Sequence, residues 1–221
     1  MAMHFFAEIG PRLIVGLLHS LLLSAVGFLL AILIGIGCGT LRYGRLPGAH
    51  FLIACYVNIF RCTPLLVQIF MIFFALPEIG LRLSPFSTGV VALGLWGGAY
   101  LTEDIRAGLD AVSTKDILAA RALGMGAVTT FMEITLPLGL RYALPAATTT
   151  ALNLFRSSSL MIVVSYSELT YTANRIASDT FDIFGVFGVA ALLYLISSIL
   201  LSYFARGLER ATYVPGFGRA V

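Results

Sequence analysis

Long apolar stretches, separated by short clusters of charged residues, are the main pattern along this chain. A helix that crosses the hydrocarbon core of a bilayer needs roughly 20 mostly apolar residues. Intervals with few charged side chains predict spans at about residues 13–41, 62–78, 84–105, 137–165 and 182–206. The second interval is short, and the amphipathic stretch just before it is expected to lead into the span. The predicted fold class is an all-α membrane protein, with about five transmembrane helices in a single domain over residues 1–221.

Composition supports the bilayer as the solvent of this chain. Apolar residues make up 59% of it and charged residues only 11%, whereas soluble domains carry about 25% charged residues. The polar surface is too small to cover a water-soluble globule. The net charge of +3 is not arranged as a basic stripe with interleaved aromatic residues, so no nucleic-acid partner is predicted.

Basic residues in the short connections predict the orientation, because Lys and Arg are retained on the cytoplasmic side of a membrane. They concentrate after the first, third and fifth spans: Arg42, Arg45, Arg106, Lys115, Arg121, Arg206, Arg210 and Arg219. The predicted topology places the N-terminus outside and the C-terminus inside. The N-terminus lacks the pattern of a cleaved signal peptide, so the first span is expected to be retained.

Residue types that carry catalysis or bind metals do not form a recognisable group. The sequence has no Gly-rich phosphate loop, no paired histidines on a helix and no nucleophile elbow. Cys38, Cys55 and Cys62 lack metal-like spacing and are interpreted as structural thiols. No catalytic residue, metal or cofactor is therefore predicted. A membrane-embedded hydrolase built from distant helices is the enzyme alternative.

The longest predicted inner connection, about residues 106–136, is too polar to span a membrane and is patterned like a short helix. Ser113 is placed to cap this helix, with Asp116 at its third position, and Gly124 is placed to end it in a left-handed turn. Pro137 is expected to begin the next span, since proline is tolerated in the first helical turn.

The predicted surface helix has two interpretations. The small side chains of Ala119, Ala120 and Ala122 would let a groove of another protein approach the backbone closely. Alternatively, an amphipathic helix at this place would lie in the headgroup layer of the membrane.

The spacing of this loop resembles the signature loop of the permeases of ATP-binding-cassette (ABC) importers, which reads Glu-Ala-Ala, a nearby glycine and Ile-x-Leu-Pro after a fixed gap. The matching positions are Leu118, Ala119, Ala120, Gly124, Ile134 and Pro137. The resemblance implies that these residues couple the chain to an ATPase. Leu118 stands where the family usually has glutamate, so either one salt bridge is missing or Asp116 supplies the carboxylate.

Other segments resemble the polar amino acid permeases of the same superfamily. The sequence FRCTPLLVQ at residues 60–68 is similar to the family's Arg-Gly-Thr-Pro-Leu-Leu-Val-Gln, with Cys62 in place of glycine. AYLTE at residues 99–103, with Arg106 and Gly108, and SELT at residues 167–170 are similar to further family elements. Arg156 and Ser157 stand where the family often has lysine and aspartate.

The resemblance implies an assembly in the cytoplasmic (inner) membrane of a bacterium. Two permease subunits, of the same or related chains, would form the path. A separate ATPase dimer would close beneath it, and a periplasmic or surface solute-binding protein would deliver the amino acid. The chain itself would carry no ATPase site. Closure of the ATPase would pull the loop inward and move the fourth span through Pro137.

Six polar residues are the candidates for the substrate path: Arg61, Thr63, Gln68, Arg156, Ser157 and Ser159. Arg156 is the sharpest, because an arginine at the bilayer centre costs about 2.5 to 3.5 kcal/mol to insert and usually faces the protein interior. Its guanidinium could hold a substrate carboxylate. The alternatives are that it reaches the headgroups or pairs with Glu103 or Glu168.

Two further features have a structural interpretation beside a functional one. Thr63 and Pro64 break helical regularity, which predicts either a hinge or a turn that directs Gln68 into the path. Glu103 and Arg106, one helical turn apart, are expected to form a structural ion pair.

Two other classes of membrane protein compete with the importer. A self-sufficient secondary transporter or channel would need coupling-ion carboxylates within its spans and often internal repeats, and neither is evident here. A scaffold without transport activity would not require the spacing of the loop.

Overall fold

Helices account for the regular structure of the described chain. The computed structural model describes residues 2–44 and 47–212, with the side chains of residues 9–44 and 48–212. No strand occurs within these residues, so the predicted all-α class is confirmed. Arg45 and Arg219, used above for the topology, lie outside the described residues.

Nine α-helices and four π or 3-10 segments follow one another in the described residues. They are α1 Ala2–Tyr43, α2 Pro47–Cys62, α3 Leu65–Phe70, a π segment Met71–Ala75, a 3-10 segment Leu76–Ile79, α4 Pro85–Asp110, α5 Thr114–Ala122, α6 Ala127–Thr130, a π segment Phe131–Thr135, α7 Leu136–Ser157, a 3-10 segment Ser158–Val164, α8 Leu169–Thr180 and α9 Ile183–Ala211.

Two of these helices are long and apolar enough to cross a membrane: α1, from Ile9 to Tyr43, and α9. The count rises to three if the broken pair α2–α3, bent by 105°, is one span. α4 and α7 are long enough but less apolar, because α4 is rich in glycine and α7 contains the threonines 148–150. The predicted number of five membrane crossings therefore stays a prediction.

α4 lies at the centre of the molecule and packs along both α1 and α7. Its contact with α7 is closest at Gly108, where an added Cβ would lie 2.3 Å from the carbonyl oxygen of Gly139. Small residues at such a crossing let two helix backbones touch. The main apolar core forms around Leu93 and Leu101 of α4, with Leu23 of α1 against them.

Two helices lie where no separate element was predicted. α2 is an independent helix at Pro47–Cys62, not a lead-in to the second span. α8 fills the connection between the fourth and fifth predicted spans and packs against α1 and α9 through Leu169, Ala173 and Ile176. It has only 12 residues and a polar face, which is why a search for apolar spans misses it.

Candidate functional site

The predicted surface helix is α5, and both of its ends are capped. The backbone N–H of Lys115 donates to Ser113 Oγ at 3.2 Å. At the other end Gly124 has φ +85°, and the N–H groups of Gly124 and Met125 donate to the carbonyls of Arg121 and Ala120. This pair of bonds around a left-handed glycine is the Schellman arrangement. Ser113 thus accepts from the N–H of Lys115, one residue before Asp116, which the sequence placed at the capped position.

The outer edge of α5 is apolar and exposed, although it lies in a polar segment of the chain. Leu118 is 60% exposed and Leu123 is 84% exposed, and Ala119 and Ala122 are exposed beside them. Ala120 is only 5% exposed, because α5 packs against α6 and the following π segment. Of the two signature alanines, Ala119 thus faces outward and Ala120 faces the molecule.

After a short non-helical turn, a continuous helical path leads from α5 into α7. After Gly124 and Gly126 the backbone is helical from Ala127 through the π segment Phe131–Thr135 into α7, so the helix begins before Pro137 and not at it. Pro137 lacks an N–H and cannot complete the regular ladder, and the wider π turn just before it accommodates this loss. Ile134 is half-buried in that turn. The ring of Phe131 stacks on Tyr43 at the end of α1, with centroids 6.0 Å apart.

Glu103 is the centre of a charged network that joins α1 to α4. Its carboxylate accepts from Arg106 Nε at 3.2 Å and from Arg42 of α1. Arg106 also donates to Asp110 Oδ2 at 2.6 Å. The sequence analysis expected the pair of Glu103 and Arg106, and it missed Arg42 because that residue is 61 positions away in the chain.

The break between α2 and α3 is held by Gln68. Its Nε2 donates to the carbonyl oxygens of Phe60 at 2.9 Å and Thr63 at 3.2 Å, and to Thr63 Oγ1 at 2.9 Å. Gln68 is only 8% exposed, so its amide satisfies carbonyls that the broken helix leaves free. Thr63 is exposed. Gln68 thus joins the two sides of the break by hydrogen bonds.

Arg61 lies beside the break, at the exposed surface of α2. Its guanidinium carbon is 4.9 Å from the centroid of the Tyr100 ring of α4, a distance typical of a cation–π contact. Arg61 is thereby positioned by a residue of the AYLTE segment.

Arg156 is exposed near the end of α7, and no ion pair includes it among residues 9–44 and 48–212. The carboxylates of Glu103 and Glu168 are occupied by other partners. Ser159 is half-buried, and its hydroxyl donates to the carbonyl oxygen of Arg156 at 2.8 Å. Ser157 is half-buried at the end of the helix. Among the described residues, no hydrogen bond joins this group to Arg61, Thr63 or Gln68.

Glu168 is a buried residue that the sequence analysis did not single out as a site. It is 0% exposed and caps α8, because its carboxylate accepts from the N–H of Tyr171 at 2.6 Å and of Thr170 at 2.8 Å. The hydroxyls of Tyr194 and Ser20 donate to it at 3.0 and 3.4 Å. Glu168 thus ties α1, α8 and α9 together. The sequence carried no clear signal for this cap, because α8 was not predicted as an element and glutamate is not among the residues preferred at an N-cap.

A second polar contact that was missed links α4 to α7. The hydroxyl of Thr150 donates to Asp104 Oδ2 at 3.1 Å. Asp104 lies next to Glu103 in the chain but faces the other neighbouring helix. The adjacent carboxylates therefore connect α4 to α1 on one side and to α7 on the other.

Residues 27–213 match the family described as "Binding-protein-dependent transport system inner membrane component". The chain belongs to this family. The permease is 36% identical over 197 residues to the probable glutamine ABC transporter permease protein GlnP of Bacillus subtilis (strain 168), covering 88% of this chain and 90% of that protein. It is 32% identical over 203 residues to the glutamine transport system permease protein GlnP of Escherichia coli (strain K12), covering 90% and 92%.

Solved structures contain the same fold. A chain in the crystal structure of an amino acid ABC transporter with histidines superposes on the permease with a TM-score of 0.87 and 28% identity, over 93% of this chain and 96% of that one. A chain of the inward-facing MetNI methionine ABC transporter gives a TM-score of 0.79 at 22% identity, over 94% and 99%. The second likeness shows the fold alone.

Proposed function

We propose that this permease is one membrane subunit of an importer that moves a polar or charged amino acid inward, driven by a separate ATPase dimer that docks on α5. The observation that carries the proposal is the exposed apolar edge of α5, formed by Leu118 and Leu123, on a short helix with two caps. Leucine side chains that are 60% and 84% exposed in a polar segment are typical of a surface that a partner protein covers.

The chemistry of this edge describes the groove that would receive it. With Leu118 at the position of the usual glutamate, the edge of α5 offers a partner aliphatic groups and the small side chains of Ala119 and Ala122. Asp116 is half-buried, so its carboxylate is a weaker candidate for a salt bridge to the partner. We infer that apolar contact provides most of the docking free energy, and that binding tolerates salt better than an ion pair would.

Motion of the docked α5 would reach the membrane through the helical path into α7. Ala120 packs inward on α6 and the π segment, so displacement of α5 would push on these elements directly. The stacking of Phe131 on Tyr43 gives the moving segment a second contact, with the end of α1. If the open and closed states of the ATPase dimer fit α5 differently, closure would favour one of two packings of α7.

The substrate class is supported by the relatives. Two relatives are named as glutamine permeases, and a nopaline transport system permease protein of Agrobacterium fabrum (strain C58 / ATCC 33970) is 32% identical over 212 residues, covering 91% of this chain and 88% of that protein. Glutamine is a polar amino acid, and nopaline is a derivative of an amino acid. Arg61 and Arg156 are the exposed cations of the proposed path, and Arg156 is available to grip a carboxylate. Thr63, Ser157 and Ser159 would supply hydroxyls, and Gln68 would fix the hinge.

This function requires two further proteins, and it also implies that the ATPase site lies on another chain and that α5 faces the cytoplasm. A second permease subunit, of the same or a related chain, would form the other wall of the path. A solute-binding protein would deliver the amino acid from outside, and the permease would have no ATPase site of its own. In the inner membrane of a bacterium, five crossings with the N-terminus outside and the C-terminus inside would place α5 in the cytoplasm.

Substitution of the exposed leucines tests the docking surface. We expect Leu118→Arg with Leu123→Arg to abolish co-purification of the ATPase from native membranes, because two charged side chains cannot enter an apolar groove. The matched control is Phe184→Arg, a charge placed on a side chain that is 93% exposed in the first turn of α9. ATPase recovery equal to that of the wild type and of Phe184→Arg would refute docking through this edge.

A further inference from the structure

One face of α4 carries two aromatic rings and a carboxylate that remain partly exposed. Trp96, Tyr100 and Asp104 follow one another at four-residue intervals, which places them on the same side of the helix. The ring centroids of Trp96 and Tyr100 lie 4.6 Å apart. α2 contacts this face through Arg61 on Tyr100, and α7 contacts it through the hydrogen bond of Thr150 to Asp104.

The carboxylate of Asp104 has one partner among the described residues. Its Oδ2 accepts from the hydroxyl of Thr150, which is a neutral donor, and no ion pair within residues 9–44 and 48–212 includes it. A single hydroxyl leaves the negative charge largely uncompensated. Asp104 belongs to the third predicted span, and an ionisable residue in a membrane helix usually has a cationic partner or marks the path of a polar ligand.

Arg61 is a cation beside the same face. Its guanidinium carbon lies 4.9 Å from the centroid of the Tyr100 ring, and Tyr100 precedes Asp104 by about 6 Å along the helix axis. The positive charge of Arg61 is close enough to act on the carboxylate of Asp104. Within the part of the chain that the structure describes, however, no ion pair joins them.

Two opposite charges that are near each other but not joined fit a ligand that carries both charges itself. A free α-amino acid has an α-carboxylate and an α-ammonium group at neutral pH, and both are attached to one carbon. A guanidinium binds a carboxylate through two parallel hydrogen bonds, and an ammonium group donates to a carboxylate. A simple anion or a simple cation would compensate only one of the two protein charges.

We propose that Asp104 and Arg61 bind the zwitterionic end of an α-amino acid. The α-ammonium donates to the carboxylate of Asp104, and the α-carboxylate accepts from the guanidinium of Arg61. Tyr100 positions the guanidinium, and Thr150 positions the carboxylate. This inference rests on the proposed function and adds to it a residue that distinguishes an amino acid from a simple carboxylate. Arg156 lies about 9 Å farther along α7 than Thr150 and acts at another level of the path.

Melting temperatures of the permease, purified in detergent with its bound partners, test this site. L-Glutamine and the other polar amino acids are added one at a time at millimolar concentration, because a ligand of the folded state raises the melting temperature. We expect at least one of them to do so. Its N-acetyl derivative, which lacks the ammonium group, should have a smaller effect.

Asp104→Asn removes the charge but keeps an oxygen that accepts from Thr150, so the melting temperature without ligand should stay the same. We expect this variant to bind the amino acid about tenfold more weakly or worse, because a hydrogen bond between charged groups is lost. It should no longer distinguish the amino acid from the N-acetyl derivative. Asp110→Asn, the same change at an exposed carboxylate of α4, is the matched control and should bind like the wild type.

Arg61→Gln tests the other half of the site. This variant should lose the preference for the amino acid over the amine that is formed by its decarboxylation, and it should still prefer the amino acid to the N-acetyl derivative. Binding by Asp104→Asn at the wild-type affinity would overturn the proposal. The absence of any stabilising amino acid in the wild type would also overturn it.

Reconstituted uptake separates the failure of this site from the failure of the proposed function. ATP-driven import that Asp104→Asn leaves at the wild-type rate would refute the site and keep the importer. Amino acid binding that depends on Asp104, in a permease without ATP-driven import, would support the site and refute the importer.

Discussion

Glu168 shows at the scale of a single residue how a carboxylate is kept inside this membrane protein. Its oxygens accept two backbone N–H groups at the start of α8 and hydroxyls from α1 and α9. A buried carboxylate is tolerated when donors replace its water. Glu168 therefore has a structural explanation that requires no substrate.

Removal of this carboxylate should destabilise the permease. We expect Glu168→Ala to lower the free energy of unfolding by at least about 2 kcal/mol, because it removes the cap of α8 and leaves buried hydroxyls without their acceptor. The melting temperature in detergent measures the effect. Glu78→Ala, at an exposed carboxylate, is the control and should change little. Equal melting temperatures for the two variants would contradict the structural role.

Residue-level predictions succeeded where the cause is local. The left-handed turn at Gly124 could be read from the sequence because glycine is the residue that adopts this conformation without strain. The burial of Ala120 could not, since it depends on how α5 packs on α6 and the π segment. The link from Arg42 to Glu103 was missed for the same reason, since only the packing of α1 on α4 brings these residues together.

At the scale of the helices, the two close contacts of α4 define the centre of the fold. Gly108 lies directly on the backbone of α7, so no side chain fits between the two helices. The Asp104–Thr150 hydrogen bond joins the same pair of helices a turn away. The α4–α7 contact is therefore close, and α7 is the helix through which motion of α5 would enter the membrane.

A methyl group at this crossing tests its tightness. We expect Gly108→Ala to lower the free energy of unfolding by about 1–3 kcal/mol or more, since the added Cβ would clash with backbone atoms that cannot move aside. Gly37→Ala is the matched control, because a Cβ there meets nothing within 4 Å and alanine favours the helix. Equal melting temperatures for the two variants would show that α4 and α7 are not in close contact.

Hydropathy along the sequence predicts some of these helices better than others. α1 and α9 expose many large apolar side chains and are apolar along their length, so the sequence predicted them well. α4 and α7 are surrounded by protein on several sides, and α8 is short and amphipathic. Their positions follow from packing, which a pattern of apolar intervals does not contain.

The described part of the molecule exposes many large apolar side chains along its long helices. Leu29 and Leu33 of α1 are 62% and 71% exposed, and Phe204 of α9 is 76% exposed. Such side chains need lipid or another subunit around them. Composition alone predicted this environment, while the family match gives the class of transport assembly to which the molecule belongs.

Reconstituted uptake tests the central proposal most directly. The permease would be placed in proteoliposomes with its candidate ATPase and solute-binding protein, and import of labelled glutamine and other polar amino acids would be measured with ATP or with an ion gradient as the only energy source. We expect uptake with ATP that is lost in the Leu118→Arg, Leu123→Arg variant and retained by Phe184→Arg. Uptake driven by an ion gradient through the permease alone, without ATPase or ATP, would contradict the proposal and identify a secondary transporter.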